Sequence, residues 1–262
     1  MTQPASSGLV VDPASGRPLD GAAGIDYLPL LAHLQGEFLA GVRASDATAR
    51  VPACGRWRVR NLVEHLARIH HWAAGQARRR QETPLGRGPF DLPELYATCA
   101  AELRETLAEL GPDADAWTLL GRGPASFWHR RQVHETLVHL HDLRAASVGA
   151  VPEAVDDVAP EIWADTVDEV VTMFEPRQVR MGRIDPLART VALAAPDAGA
   201  AWVLGAHEDG RTGGMEAAAT VTAPARELAL LVWGRLTPEQ AGVVVDGDRA
   251  VLDEVLGSRI TP

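Results

Sequence analysis

The 262-residue chain contains no lysine, and all 25 of its basic residues are arginine. Against them stand 35 acidic residues, for a net charge of −10. An acidic chain has no surplus of cations to track a phosphate backbone, which argues against a nucleic-acid groove. The complete exchange of lysine for arginine, beside abundant alanine and glycine, reflects a GC-rich coding sequence and not a chemical need. Cysteine is scarce: Cys54 and Cys99 are the only two. That is too few for a disulfide scaffold and fits a reducing compartment. A free cysteine usually behaves as a small buried apolar residue. No run of about 18 apolar residues occurs, so no membrane span is expected. The first residues lack a basic region followed by an apolar one, so no secretory signal is read and a cytoplasmic protein is expected. What the chain does have is 46% hydrophobic residues, enough for a core, in a length that suits one large or two modest domains.

The most informative stretch is FWHRRQVHETLVHLHDLRAA, residues 127–146. It holds neither glycine nor proline and is long enough for about five to six helical turns. Glu135 and His139 are four apart and project from nearly one face, which Asp142 continues. Leu137, Val138 and Leu140 supply apolar surface, so the helix is expected to be packed. A carboxylate and an imidazole on a packed face are costly unless paired or bound to a metal. The zinc-protease pattern of two histidines at i and i+4 does not fit. His134 and His139 are one residue too far apart and lie about 140° from each other around a helix. Glu135 and His139 can share an ion, but a third ligand must come from elsewhere.

Along the chain, residues 1–23 are rich in proline, glycine, serine and aspartate and read as a flexible N-terminal arm. Helical spacing of apolar residues then predicts helices over 26–43, 59–79, 93–110 and 127–146, separated by loops rich in glycine and proline. Four such helices imply an antiparallel four-helix bundle. A fifth helix is expected over 161–175. After Pro186 the period changes: strands are expected over 190–193, 201–204, 217–221 and 243–246, with helices over 224–233 and 248–256. The domains are therefore read as a bundle over 24–180 and a small C-terminal α/β (α+β) domain over 181–262.

A bundle builds metal sites from inward-facing side chains on adjacent helices. His65, beside the apolar stripe of the second helix, is the natural third ligand. Two histidines and one glutamate leave a position open for water or a substrate atom, as catalytic zinc sites do. The competing reading is a satisfied core or boundary histidine, and seven other histidines keep that choice open. Of these, His70 and His71 are expected to line a rim or face solvent. The run Arg78 to Arg80 is read as a solvated helix end, and the tryptophans as core.

Three strings carry a resemblance: WRVRNLVEHLARIHHWA (57–73), HETLVHLHDLRAA (134–146) and ATVTAPARELALLVWGRL with VVVDGDRAVLDEVL (219–256). In this order and spacing the chain resembles the mycothiol-dependent maleylpyruvate isomerase family. The resemblance implies a DinB-like four-helix bundle followed by a small α/β domain. It implies a divalent metal, usually zinc, on His65, Glu135 and His139, and mycothiol as thiol cosubstrate. The family's aromatic-glycine-arginine string survives as Trp233-Gly234-Arg235, so Arg235 is a candidate catalytic and cofactor-binding residue. Its guanidinium would clamp an acidic substrate or the thiol cofactor; the plainer reading is a surface ion pair. The expected partners are a small electrophile and a low-molecular-weight thiol, with no nucleic acid and no membrane. The reaction would be thiolate addition, as an isomerase or an S-transferase. A hydrolase using metal-activated water and a non-catalytic DinB-like binding module are the alternatives. Nothing in the pattern speaks to oligomeric state.

Overall fold

The computed structural model describes residues 25–152, 158–205 and 217–262. The expected arm, residues 1–23, and His207 lie outside these described residues. The chain divides into two compact units, one of Asp26–Ala154 and one containing Val155–Pro262.

The first unit is built on α1 (Tyr27–Ala44), α2 (Val59–Ala77), α3 (Leu92–Leu110) and α4 (Ser126–Val148). Polar side chains set the starts. Asp26 accepts from the Leu28 amide at 3.3 Å, and Asp91 accepts from the Glu94 amide at 3.0 Å. At α2 the side chain of Asn61 reaches back to the Arg58 amide at 3.0 Å. Gly149, with φ 67°, ends α4 in the left-handed conformation that glycine adopts without strain. Leu34 and Phe38 of α1, Leu62 and Leu66 of α2, Leu103 of α3 and Leu137 of α4 are all fully buried in the bundle core. The main packing pairs are α1 with α3 and α4, and α2 with α3 and α4. Helices α1 and α2, and likewise α3 and α4, therefore sit across the diagonals, while α2 faces both α3 and α4 directly.

Two elements were not expected. The loop after α3 carries a hairpin, β1 (Asp115–Thr118) with β2 (Gly121–Pro124), in register from Asp115↔Pro124 to Thr118↔Gly121. Thr118 closes its turn: the hydroxyl accepts from the Leu120 amide and donates to the Gly121 carbonyl. The fifth helix also runs past its expected end, as α5 (Pro160–Glu169), a π-helical turn (Val170–Phe174) and α6 (Glu175–Arg180). In a regular helix the ring of Pro176 would clash with the carbonyl four residues back. The widened turn ends at Phe174, two residues before it, with the Glu175 amide donating to the Val170 carbonyl.

The second unit holds these helices, a four-stranded mixed sheet and two more helices. The strands are β3 (Val191–Ala195), β4 (Ala200–Leu204), β5 (Ala219–Thr222) and β6 (Val244–Gly247), in the order β4-β3-β5-β6. β3 pairs antiparallel with β4 and parallel with β5, and β6 pairs antiparallel with β5. The helices are α7 (Ala225–Val232) and α8 (Arg249–Gly257). Because α5 packs on α7, the division of the chain falls at Ala154, upstream of the 180/181 boundary read from the sequence. No described helix is long and apolar enough to cross a membrane.

Candidate metal centre

On α2 the buried Leu62, Val63 and Leu66 fix the helix's rotation, and His65 is left at the edge of that stripe. On α4 nearly every side chain from Trp128 to Ala146 is buried, the polar ones included. Glu135 and His139, one turn apart, meet His65 across the α2–α4 contact. The Glu135 Oε1 atom lies 3.3 Å from His65 Nε2 and 3.3 Å from His139 Nε2. The two imidazoles stand edge to face, with ring centres 5.0 Å apart. Among the described residues these three form the one group whose ligand atoms, all within 4.8 Å of one another, could hold a metal ion.

The remaining donor atoms of Glu135 and His139 are occupied from behind. Arg131, one turn before Glu135, donates to Oε2 and leaves Oε1 toward the histidines. His139 Nδ1 donates to Asp142 Oδ2 at 2.8 Å, so Nε2 is the atom turned toward Glu135. Trp57 packs on the His65 ring, centre to centre 4.9 Å. The His65 side chain is 32% exposed against 9% for Glu135 and 9% for His139, which places the open side at His65. Burial works to raise the Glu135 carboxyl; Arg131, His139 and His65 overcome it and hold it well below the usual carboxylate range. For His139 burial works downward, and the carboxylates of Asp142 and Glu135 lift it above the usual histidine value.

This donor set fits a divalent cation. Ligands of one tetrahedral ion with bonds of about 2.0–2.1 Å stand about 3.3–3.4 Å apart, close to the two separations observed. A fourth side-chain ligand is not in the group: Asp142 lies on the Nδ1 side of His139, and the ring of His134 meets Tyr27 edge-on at 6.5 Å.

Other expectations need correction. His70 and His71 are buried, not at a rim. His70 Nδ1 bonds to Gln132 Oε1 at 2.7 Å, while His71 spans Glu102 at 2.5 Å and the Thr83 carbonyl at 2.7 Å. Polar partners on α3, α4 and the following loop pull both rings inward, which no stripe of apolar residues reveals. Arg235 was expected to hold a substrate or the thiol and not the metal. It lies in the second unit, after α7, where it donates to the Trp233 carbonyl at 2.7 Å and covers the Trp233 ring at 5.9 Å. Sequence reasoning passed over Arg131 and Trp57. The i−4 spacing from Glu135 was the available signal for Arg131; Trp57 had none.

Residues 31–144 match the family model described as "Mycothiol maleylpyruvate isomerase N-terminal domain", and residues 147–254 match "MDMPI C-terminal domain". The chain belongs to the mycothiol maleylpyruvate isomerase family. Two solved structures have the same fold as this family member. One is a crystal structure of the mycothiol-dependent maleylpyruvate isomerase, with TM-score 0.61 and 16% identity, covering 84% of this chain and 92% of that one. The other is a histidine-to-alanine mutant of that enzyme, with TM-score 0.62 and 15% identity over the same shares, 84% and 92%. At such identity the likeness establishes the fold alone. No curated protein matches this member of the family significantly.

Proposed function

We propose that the chain is a metal-dependent enzyme that uses mycothiol, or a closely related thiol, on a small electrophile, as a maleylpyruvate isomerase or a thiol S-transferase. The observation that carries the reading is the convergence of His65, Glu135 and His139 within 4.8 Å, with no fourth side chain in the group among the described residues. A set of two histidines and one carboxylate is the open arrangement of catalytic zinc sites and not the closed one of structural sites.

In this reading His65 Nε2, Glu135 Oε1 and His139 Nε2 hold the ion. When bound, a divalent cation supplies the positive charge that lets a thiol or water lose its proton near neutral pH. Arg131 keeps Glu135 ionised and single-pronged. The half-open face at His65 admits the cosubstrate. In the isomerisation the thiolate sulfur adds to the conjugated double bond of maleylpyruvate, the resulting single bond rotates, and elimination restores the thiol and gives fumarylpyruvate. Arg235 is proposed to pair with a substrate carboxylate or with the thiol cofactor. Such chemistry belongs in the cytoplasm, where thiols stay reduced.

Two measurements test this. Metal content of the purified protein is expected to be close to one divalent ion per chain. His65→Ala, Glu135→Gln and His139→Ala are each expected to lose at least about 100-fold in metal affinity while still folding, since they leave the fully buried Leu34, Phe38, Leu62, Leu66, Leu103 and Leu137 of the bundle core in place. Metal retained in His139→Ala would count against the site. Thiol-dependent turnover of maleylpyruvate, or consumption of thiol over a panel of electrophiles, is expected to vanish with chelator. Turnover without any thiol would favour a hydrolase instead.

A further inference from the structure

We propose that Asp142 is the positioning residue of this metal centre: it fixes the ring orientation and tautomer of His139 so that only Nε2 can bind the ion. The inference rests on the metal reading above and deepens it.

Asp142 is fully buried, and a carboxylate cut off from water must be met by donors. Its Oδ2 atom is met by His139 Nδ1 at 2.8 Å and by the Cys54 thiol at 3.5 Å. The first contact runs between residues three apart on α4, so no loop motion can open it. An imidazole has two nitrogens, two neutral tautomers and two ring flips, and only one of these arrangements aims a lone pair at the Glu135 Oε1 side. A carboxylate on Nδ1 selects that arrangement and makes Nε2 the stronger donor. A merely structural aspartate, by contrast, would matter to folding and not to metal affinity.

The same short segment braces the other histidine. Val51 to Trp57 is closed by three backbone bonds: from the Val51 amide to the Trp57 carbonyl at 3.0 Å, from the Cys54 amide to the Val51 carbonyl at 3.2 Å and from the Trp57 amide to the Cys54 carbonyl at 3.0 Å. At one end Cys54 touches Asp142 behind His139, and at the other Trp57 packs on His65. Both imidazoles are therefore backed from one loop, while Glu135 is backed from its own helix by Arg131.

The test measures affinity for Zn2+ alone, by competition with a chromophoric chelator, on the full chain. Asp142→Asn keeps the shape and loses the charge. It is expected to unfold, metal-free, within a few degrees of wild type and to bind Zn2+ about 10–100-fold more weakly. Asp142→Ala is expected to lose at least as much. Wild-type affinity in both folded variants overturns the proposal and leaves the metal site standing; no Zn2+ binding by the wild type removes both. A second readout needs no variant. In the zinc-loaded wild type, 15N NMR is expected to show His139 protonated at Nδ1 and metallated at Nε2; zinc on Nδ1 overturns the assignment.

Discussion

His70 and His71 are adjacent on α2, and their surroundings drive them in opposite directions. Complete burial pushes the His70 imidazole down to about 4, although the hydrogen bond to Gln132 works the other way. Its folded value thus lies below the unfolded one, and its contribution is fully present above about pH 6.5. It is lost as pH falls toward 4, where the unfolded chain takes up a proton that the core refuses. The loss should reach roughly 2–4 kcal/mol. Urea unfolding of wild type and His70→Gln between pH 4 and 7 checks this: the difference in stability between them should shrink or reverse as the solution is acidified. At His71 burial again works downward but is outweighed by Glu102 and the Thr83 carbonyl, and the net shift is upward. Both ring nitrogens face acceptors, so the ring is held as imidazolium. That tie is fully present below about pH 6.5 and weakens as pH rises through the raised value. Amides of the loop around Thr83 are therefore expected to exchange faster, relative to the intrinsic rate, on the alkaline side; Glu102→Gln should abolish the pH dependence. The rings differ only in which partners tertiary packing brings to them, which is why the sequence placed neither correctly.

The elements were legible in proportion to the clarity of their pattern. The long helices announce themselves by apolar spacing, and the first residue of the first expected helix, Asp26, caps α1 by accepting from the Leu28 amide. Asp91 was not assigned that role, yet it caps α3. Asp91→Ala is expected to cost about 1 kcal/mol in thermal or urea unfolding, with Asp91→Ser costing much less. Composition hid the hairpin: β5 and β6 are as short and were expected, but the two glycines and Pro124 of β2 read as loop and left β1 without a visible partner. The continuation through Pro176 was hidden because proline normally ends a helix, and only the π turn lets the chain carry on. On α4 the polar residues gave no clue to depth. Arg131, Gln132, His134, Glu135, His139, His141 and Asp142 are all buried, in a helix whose composition would suit a wet face.

At the scale of the whole molecule, the three converging side chains come from one unit, Asp26–Ala154. A fragment of those residues is expected to fold and to bind Zn2+ within about tenfold of the full chain, by the same competition measurement. A fragment from Val155 onward should bind none at that strength. The boundary itself was misplaced in sequence because α5 looks like one more bundle helix, and only its packing on α7 assigns it. What the sequence determined by itself was local: helix and strand periodicity, the architecture of a bundle followed by a small α/β domain, and the placement of Glu135 and His139 on one helical face. Periodicity is a property of neighbouring residues, so it survives without coordinates. What only the tertiary structure decided was which surfaces meet. Packing α2 against α4 brought His65 from 70 residues away in sequence to 3.3 Å from Glu135, and a contact across that separation leaves no mark on either helix alone.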